Sequence, residues 1–371
     1  MADRSPKHHR WTSGRKLGRD FRSGSQPDIL EAWFDSIVAW PGAAVSRQFE
    51  QIIWDDRLRA DWEQLLRLAV REDLGETGDR TTRALVPEDA VGRAAVIARQ
   101  PGVIAGLPGV ESTLRQIDPR LQWLPETEDG QVVGVPGTER RSAGGSGERI
   151  GRIEGPARGL LTAERLVLNL LSRLSGIATV TRQCVEAVRG TKAKIYDTRK
   201  TTPGWRRLEK YAVRQGGGWN HRTGLFDAVL IKDNHLALRA ELCGGPASGY
   251  PAARSNPAEA VARARQFLQE HASHAACSAM IVEIEIDTLS QLDEVLSAGP
   301  DIVLLDNFSE AELREAVARR DARNKGVELE ASGKVDLSSV RRIAETGVER
   351  ISVGALTHSA RWLDIGLDWE P

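Results

Sequence analysis

The stretch MIVEIEIDTLSQLDEVLSAGPDIVLLDNF, residues 280–308, decides the fold. Met280 to Ile286 is a short run rich in β-branched residues, Leu289 to Leu296 repeats its apolar residues at helical spacing, and Ile302 to Leu305 is a second β-type run. Strand, helix and strand in so short a span make a βαβ unit, with parallel strands and a right-handed crossover. Working outward, Lys194 to Asp197, Ala228 to Ile231, Val327 to Glu330 and Arg350 to Val353 also read as strands. Pro257 to Gln269, Glu310 to Arg319 and Ser338 to Glu345 read as helices between them. The pattern predicts an α/β barrel or an open parallel sheet, and a barrel of fewer than eight strands fits the count best.

Upstream the periodicities differ. Val91 to Trp123 combines β-type runs such as Arg93 to Ala98 with a helix near Gly109 to Ile117, a small α+β unit. Glu128 to Glu148, rich in glycine and charge, is expected to be a surface excursion. Gly159 to Val188 is a long helical tract with Leu161, Leu168, Leu171 and Leu174 on one face; Thr162 is the expected N-cap, and Gly176 is expected to split the tract in two. From Ile29 to Leu68 the apolar spacing predicts two or three helices. The first 25 or so residues, basic and interspersed with Ser and Gly, read as a disordered tail.

At 371 residues and 40% hydrophobic content the chain can bury a full core. Its 51 Lys and Arg against 52 Asp and Glu leave a net charge of −1, which argues against general nucleic-acid binding. There is no 18-residue apolar run and the N-terminus is polar, so neither a membrane span nor a signal peptide is expected, and the cytoplasm is the expected location. Cys184, Cys243 and Cys277 are too widely spaced for a disulfide framework or a zinc site. His271 and His274 are expected on an exposed helix face.

The chemistry concentrates in DTRKTTPGWRRLEKYAVRQGGGWNHRTGLFDAVLIKDNH, residues 197–235, where basic residues gather at two strand ends. In a barrel, residues just past each strand's C-terminal end line one mouth. Here these are Arg199, Lys200, Lys232, Glu285, Asp306, Ser332 with Gly333, and Gly354 with Thr357 and His358. Converging cations suit a small polyanion. Glu285 and Asp306 could hold ribose hydroxyls or a Mg²⁺ shell, since that ion takes only one or two protein carboxylates and keeps its waters. Ser332 to Lys334 and Gly354 to Leu356 are each expected to precede a helix, whose free N–H groups accept phosphate. Gly216 to Gly218 is either a simple turn or part of a ligand loop. Arg206, Arg207, Lys210 and Arg214 are left as solvated or structural charges.

With these residues in hand, the chain resembles the quinolinate phosphoribosyltransferases, the carboxylating nicotinate-nucleotide pyrophosphorylases of NAD biosynthesis. The resemblance rests on EDLGETGDRTT (72–82), AGLPGV (105–110), LLTAERLVLNLLSRLSGIAT (160–179), DTRKTTPG (197–204), GGGWNHRTGLFDAVLIKDNH (216–235), VEIEID (282–287), LLDNF (304–308), EASGKV (330–335) and TGVERISVGALTHSA (346–360). It implies an N-terminal α/β sandwich domain (53–165) after a partly disordered extension (1–52). An incomplete α/β barrel of about six to seven strands (166–371) would follow, with the C-terminal tail packed back on the sandwich. It also implies a homodimer with shared active sites, or a higher oligomer built from it, and no organic cofactor. Quinolinate would be held by Arg199, His221, Arg222 and Lys232, with Thr198 beside them and Arg165 supplied by the neighbouring subunit. Phosphoribosyl pyrophosphate and Mg²⁺ would take Lys200, Glu285 and Asp306. The phosphate turns would be Ser332, Gly333 and Lys334, and Val353, Gly354 and Ala355, with His358 near the second. Lys200, Lys232, Glu285 and Asp306 would be the catalytic set. A related transferase acting on nicotinate or another heterocyclic acid is the alternative. Lys334 stands where the family often has Gly, Trp205 where it has an aliphatic residue, and 128–148 and 242–276 look longer than usual.

Overall fold

The computed structural model describes residues 48–134, 147–244, 256–271 and 280–370. An extended segment, 48–55, leads into α1 (Asp56–Leu74), capped by Asp55, whose carboxylate accepts the Leu58 N–H at 2.8 Å. The short α2 (Arg80–Leu85) is capped by Asp79 in the same way. There follow β1 (Val91–Ala98), β2 (Gly102–Val103), α3 (Val110–Ile117), β3 (Gln122–Pro125), β4 (Val132–Val133), β5 (Glu148–Pro156) and the long α4 (Ala157–Ala187). The second half runs β6 (Lys194–Tyr196), α5 (Arg206–Gln215), β7 (Val229–Ile231), α6 (Asp233–Gly244), α7 (Pro257–Glu270), β8 (Val282–Ile286) and α8 (Leu289–Ala298). It closes with β9 (Ile302–Asp306), α9 (Glu310–Arg323), β10 (Glu328–Ser332), α10 (Val340–Ala344), β11 (Arg350–Ser352), α11 (Ala355–His358) and β12 (Ile365–Glu370).

Two sheets organise these elements. The first is antiparallel, ordered β12-β1-β5-β3, so the C-terminal strand returns to pair with β1. Ala94, Val96, Ala98, Ile150 and Ile153 of this sheet pack with Leu114 of α3 and Leu160, Val167 and Leu171 of α4. The second is parallel and six-stranded, ordered β6-β11-β10-β9-β8-β7. Period-2 alternation gives its strands two unlike faces. Ile284, Ile286, Val303, Leu305, Leu329 and Ile351 face helices through Leu292, Val295, Leu313, Ala316 and Val340. The alternate residues, Glu283, Glu285, Glu330, Ser332, Arg350 and Ser352, look the other way.

Strand pairing does not close this sheet, since β6 and β7 stand at its two edges. The residues that follow those edge strands, Thr198 to Lys200 and Lys232, nevertheless line one cavity, so the sheet curls into an incomplete barrel. A seventh position beside β6 is filled by Trp219, whose N–H donates to Ile195 O at 2.7 Å and whose carbonyl accepts from Asp197 N at 3.0 Å.

Several expectations need correction. Gly176 does not divide α4, which is one helix of 31 residues. A Cβ on Gly176 would stand 2.1 Å from Arg361 O, so the glycine admits a crossing backbone rather than a break. Thr162 lies inside α4 and bonds Asp79 Oδ2 at 3.2 Å; Pro156 precedes the helix. Of the surface excursion expected over 128–148, residues 135–146 lie outside the described residues, and both described ends are anchored. Asp129 accepts Gly106 N at 2.7 Å and Tyr211 Oη at 2.6 Å, and Glu148 is buried and accepts Gly134 N at 2.8 Å. Of the helices expected between Ile29 and Leu68, only α1 falls among the described residues; 29–47 lie outside them.

Candidate active site

The mouth of the barrel holds a cavity of about 470 Å³ lined by Thr198, Arg199, Lys200, His221, Arg222, Leu230, Lys232, Glu285, Leu304, Asp306, Ser332 and Ser352. Nine of these come from the residues named by sequence. Leu230, Leu304 and Ser352 were missed; their only signal is inward register on β7, β9 and β11.

Three cations of this cavity, Arg199, Lys200 and Arg222, lack counter-ions among the described residues. Among the described residues, no carboxylate lies within 4.0 Å of Arg199, Lys200 or Arg222, and the Arg199 Nε is withdrawn from solvent without a hydrogen-bond partner. Arg222 is 7% exposed, and its Nη1 finds only the Ala228 carbonyl, at 3.3 Å. Burial, and then the neighbouring Arg199 charge, hold its pKa below the usual guanidinium value. A buried charge without a partner is costly, so the arrangement is complementary to a ligand that brings carboxylates. Lys232 differs, since its Nζ contacts Glu285 Oε2. Asp306 Oδ2 accepts from Asn307 Nδ2 at 2.7 Å.

The loop that presents Arg222 is built on buried polar groups. Asp197, fully buried, contacts Lys210 Nζ and accepts from His221 N at 2.8 Å and Asn220 Nδ2 at 2.6 Å. Lys210 also donates to the His221 carbonyl at 2.8 Å. Burial pushes the Asp197 pKa up and that of Lys210 down, each opposed by the attraction between them. The His221 Nδ1 accepts the Arg222 backbone N–H at 2.8 Å, which leaves the ring proton on Nε2. Nε2 stands 3.0 Å from Glu283 Oε2 and 3.5 Å from Glu330 Oε1. Burial would lower the His221 pKa, but these two carboxylates outweigh it and the net direction is upward. Arg350 Nε donates to Glu330 at 2.7 Å, Ser352 donates to the same carboxylate, and Arg350 Nη1 donates to Tyr196 Oη at 3.0 Å.

His221, Glu283 and Glu330 bring possible metal-ligand atoms within 4.8 Å of one another. The tautomer argues against a metal there. With Nδ1 engaged by a backbone N–H and a proton on Nε2, the ring offers no lone pair toward the carboxylates, and Glu330 is already taken by Arg350 and Ser352. Glu285 and Asp306 fit Mg²⁺ better, because they sit on neighbouring strands in a cavity open to waters and phosphate oxygens.

The remaining predicted residues lie apart. Arg165, on α4, lines a separate cavity of about 670 Å³ with Glu72, Asp73, Arg173, Thr202 and His358, and among the described residues it pairs only with Glu164, at 3.7 Å. Gly354 lies between the two: a Cβ there would stand 3.1 Å from Lys200 Cδ and 3.2 Å from His358 Nε2. Val353 is buried behind the mouth, and Ala355 begins α11. Gly333 turns at φ 107°, where a Cβ would strike Asn307 Oδ1 at 2.3 Å. Lys334 takes φ 49°, the left-handed region where glycine is favoured. The Ser332 to Lys334 turn does not lead directly into a helix as expected; residues 335–339 separate it from α10. Gly216 to Gly218 line no part of the cavity. Gly216 and Gly218 bring the end of α5 against Thr181 of α4, where a Cβ would stand 2.5 and 2.7 Å from that side chain. His271 is exposed at the end of α7, and His274 lies outside the described residues. Cys184 is buried, which pushes its thiol up to about 11. No helix among the described residues is long and apolar enough to cross a membrane.

Fold and pocket together define an α/β protein with a partly closed parallel barrel whose mouth gathers cations beside two carboxylates. Comparison with known proteins makes the class specific. Residues 79–175 match the N-terminal domain and residues 177–368 the C-terminal domain of quinolinate phosphoribosyl transferase, and the chain belongs to this family. It is 45% identical over 309 residues to the nicotinate-nucleotide pyrophosphorylase [carboxylating] of Mycobacterium leprae, covering 82% of this chain and 95% of that one. It is 36% identical over 322 residues to quinolinate phosphoribosyltransferase [decarboxylating] 1b of Nicotiana tabacum, covering 83% and 82%. Among solved structures, the nicotinate-nucleotide pyrophosphorylase of Francisella tularensis superimposes with a TM-score of 0.70 at 36% identity, over 84% of this chain and 97% of that one.

Proposed function

We propose that this protein transfers the phosphoribosyl group of phosphoribosyl pyrophosphate to quinolinate with loss of CO₂, giving nicotinate mononucleotide and pyrophosphate in NAD biosynthesis. Family membership supports the reaction. The observation that carries the substrate is the pair of guanidinium groups, Arg199 and Arg222, in one cavity, neither of them paired with a carboxylate among the described residues. Quinolinate has two adjacent carboxylates, and guanidinium groups can grip these and fix the plane of the ring. Its ring nitrogen is then aimed at C1 of the ribose, and orientation is a large part of the rate.

Attack by the ring nitrogen forms the N–C1 bond as the C1–O bond to pyrophosphate breaks, with oxocarbenium character at C1. Glu285 and Asp306 face that charge, and Lys200 faces the leaving pyrophosphate. Mg²⁺, held by Glu285 and Asp306, would neutralise phosphate charge. The positive pyridinium nitrogen then stabilises, as an ylide, the electron pair left on the adjacent carbon when its carboxylate departs as CO₂, and that pair takes up a proton. The substrate supplies its own stabilising charge, so no organic cofactor is needed.

The proposal includes a homodimer in which Arg165 of the partner subunit completes each quinolinate site. In support, Arg165 is two-thirds exposed and sits outside the cavity of its own chain. The cytoplasmic setting expected from the sequence belongs to the same reading. The test is incubation with phosphoribosyl pyrophosphate, Mg²⁺ and quinolinate labelled in the carboxylate next to nitrogen. Labelled CO₂ and pyrophosphate in equal amounts are expected; product from nicotinate without turnover of quinolinate would select the alternative transferase.

A further inference from the structure

The segment Gln48 to Ile52 lies ahead of the family match, which begins at residue 79, yet it is seated at the lower end of the barrel. Phe49 is 4% exposed and clusters with Ala228, Ile281 and Ile302, at or just before the starts of β7, β8 and β9. Its ring stacks on His221 with centroids 4.4 Å apart and planes 29° from parallel, and the Arg350 guanidinium lies 5.0 Å from its centroid. Gln51 brackets the backbone of Asn220, accepting its N–H at 2.9 Å and donating to its carbonyl at 3.2 Å. The Ile52 N–H donates to Asn220 Oδ1 at 2.7 Å.

These contacts converge on Arg222. His221 receives the Arg222 backbone N–H, and Ala228 supplies the carbonyl that holds the Arg222 guanidinium. Phe49 touches both supports, and Gln51 fixes the residue just before them. Beneath them lies a polar interior that includes Glu283, whose two oxygens are buried and meet no well-aligned hydrogen-bond donor, although His221 Nε2 is 3.0 Å from one of them. Water admitted there would compete for Glu283 and for the His221 Nε2–H, and so for the ring orientation that Arg222 leans on.

We infer that Gln48 to Ile52 is a positioning strap, with Phe49 as its plug, that seals the base of the barrel and sets the aim of Arg222 through His221 and Ala228. It touches no substrate. The inference rests on the assignment of Arg222 to quinolinate, but its structural content can be read without substrate.

The test compares the full-length protein with Phe49→Ala, Phe49→Leu and Gln51→Ala. For Phe49→Ala, KM for quinolinate rises roughly tenfold to a hundredfold, the range in which small misplacements act, while KM for phosphoribosyl pyrophosphate holds. Phe49→Leu keeps an apolar plug of similar volume and stays within about threefold of the parent. Gln51→Ala leaves the plug in place, guards against a folding failure in Phe49→Ala, and shifts the quinolinate KM in the same direction. In parallel, ¹⁵N-histidine spectra, with His221 assigned from a His221→Gln variant, show one Nε2–H tautomer in the parent and a loss of that signature in Phe49→Ala. An unchanged tautomer in Phe49→Ala overturns the strap, whether or not quinolinate is a substrate. A lost tautomer with an unmoved quinolinate KM overturns its link to Arg222, and a parent that does not turn over quinolinate overturns the functional assignment while the spectra still decide the strap.

Discussion

Lys210 Nζ contacts Asp197 Oδ1 with both side chains fully withdrawn from solvent, and this pair supports the loop that carries His221 and Arg222. Asp197 accepts the N–H of His221 while Lys210 donates to its carbonyl, so the pair holds the peptide units on both sides of His221. Removing one member of a buried pair leaves the other uncompensated. Lys210→Met is therefore expected to lose about 3 to 5 kcal/mol of unfolding free energy. Denaturant titration followed by tryptophan fluorescence checks this, and a loss within error of zero would mean that the pair contributes nothing net.

The parallel half of the fold was readable because its strands are short apolar runs separated by amphipathic helices, and all six runs drawn from the sequence are strands. The Trp219 position was not, because Gly216 to Gly218 and the polar residues Asn220 to Arg222 carry no β-type alternation, and one bridge to Tyr196 defines it. Gly176 misled for a physical reason. Glycine in a helix reads as a break, but here the crossing 361–362 backbone needs the space. Six cavity residues, Arg199, Lys200, Lys232, Glu285, Asp306 and Ser332, were legible because strand ends in a barrel share a mouth, whereas Thr198, His221 and Arg222 came from the family resemblance alone. Phe49 was not, since nothing local in residues 48–52 says that an aromatic ring will travel to the base of a barrel whose strands begin far along the chain.

Arg222→Ala tests the carboxylate grip. Its guanidinium is nearly buried and, among the described residues, has no carboxylate partner and a hydrogen bond to the Ala228 carbonyl. Truncation is expected to weaken quinolinate binding by about 2 to 5 kcal/mol, as for other hydrogen-bonded charge pairs, with the fold intact. Calorimetric titration of quinolinate, with circular dichroism as the control, reads this. Unchanged affinity would remove Arg222 from the site.

Asp79 gives a pH prediction with a definite sign. Its carboxylate caps α2 through Thr82 and bonds Thr162, and these hydrogen bonds, the Thr82 contacts first, hold its pKa below 3.8. A carboxyl whose folded pKa is depressed stabilises fully above its unfolded value and loses that contribution as pH falls through the folded one. Asp79→Ala should therefore cost up to about 1 kcal/mol at neutral pH, toward the low end because the cap is partly exposed to solvent. The gap in Tm between parent and variant should narrow below pH 3.8, where the parent carboxylate takes its proton. A gap that stays constant down to the acid transition would assign the effect to helix propensity instead.

The proposed sharing of the site between subunits makes a prediction that a monomeric enzyme cannot meet. Arg165 lines a different cavity from Arg199 and Arg222, so within one chain it does not complete the carboxylate grip. Arg165→Ala and Arg222→Ala should each be inactive, with quinolinate affinity reduced in both. If Arg165 serves the neighbouring subunit, mixing the two variants forms hybrid dimers in which one site lacks both arginines and the other has a full set. Random exchange at equal amounts puts about half of the dimers in the hybrid form, each with one working site, so recovery of about a quarter of parental activity is expected. Tagged subunits and tandem purification establish that exchange has taken place, and the activity is then read on the hybrid alone. A purified hybrid with no more activity than either variant would place both arginines in the same subunit's site and rule out the shared arrangement.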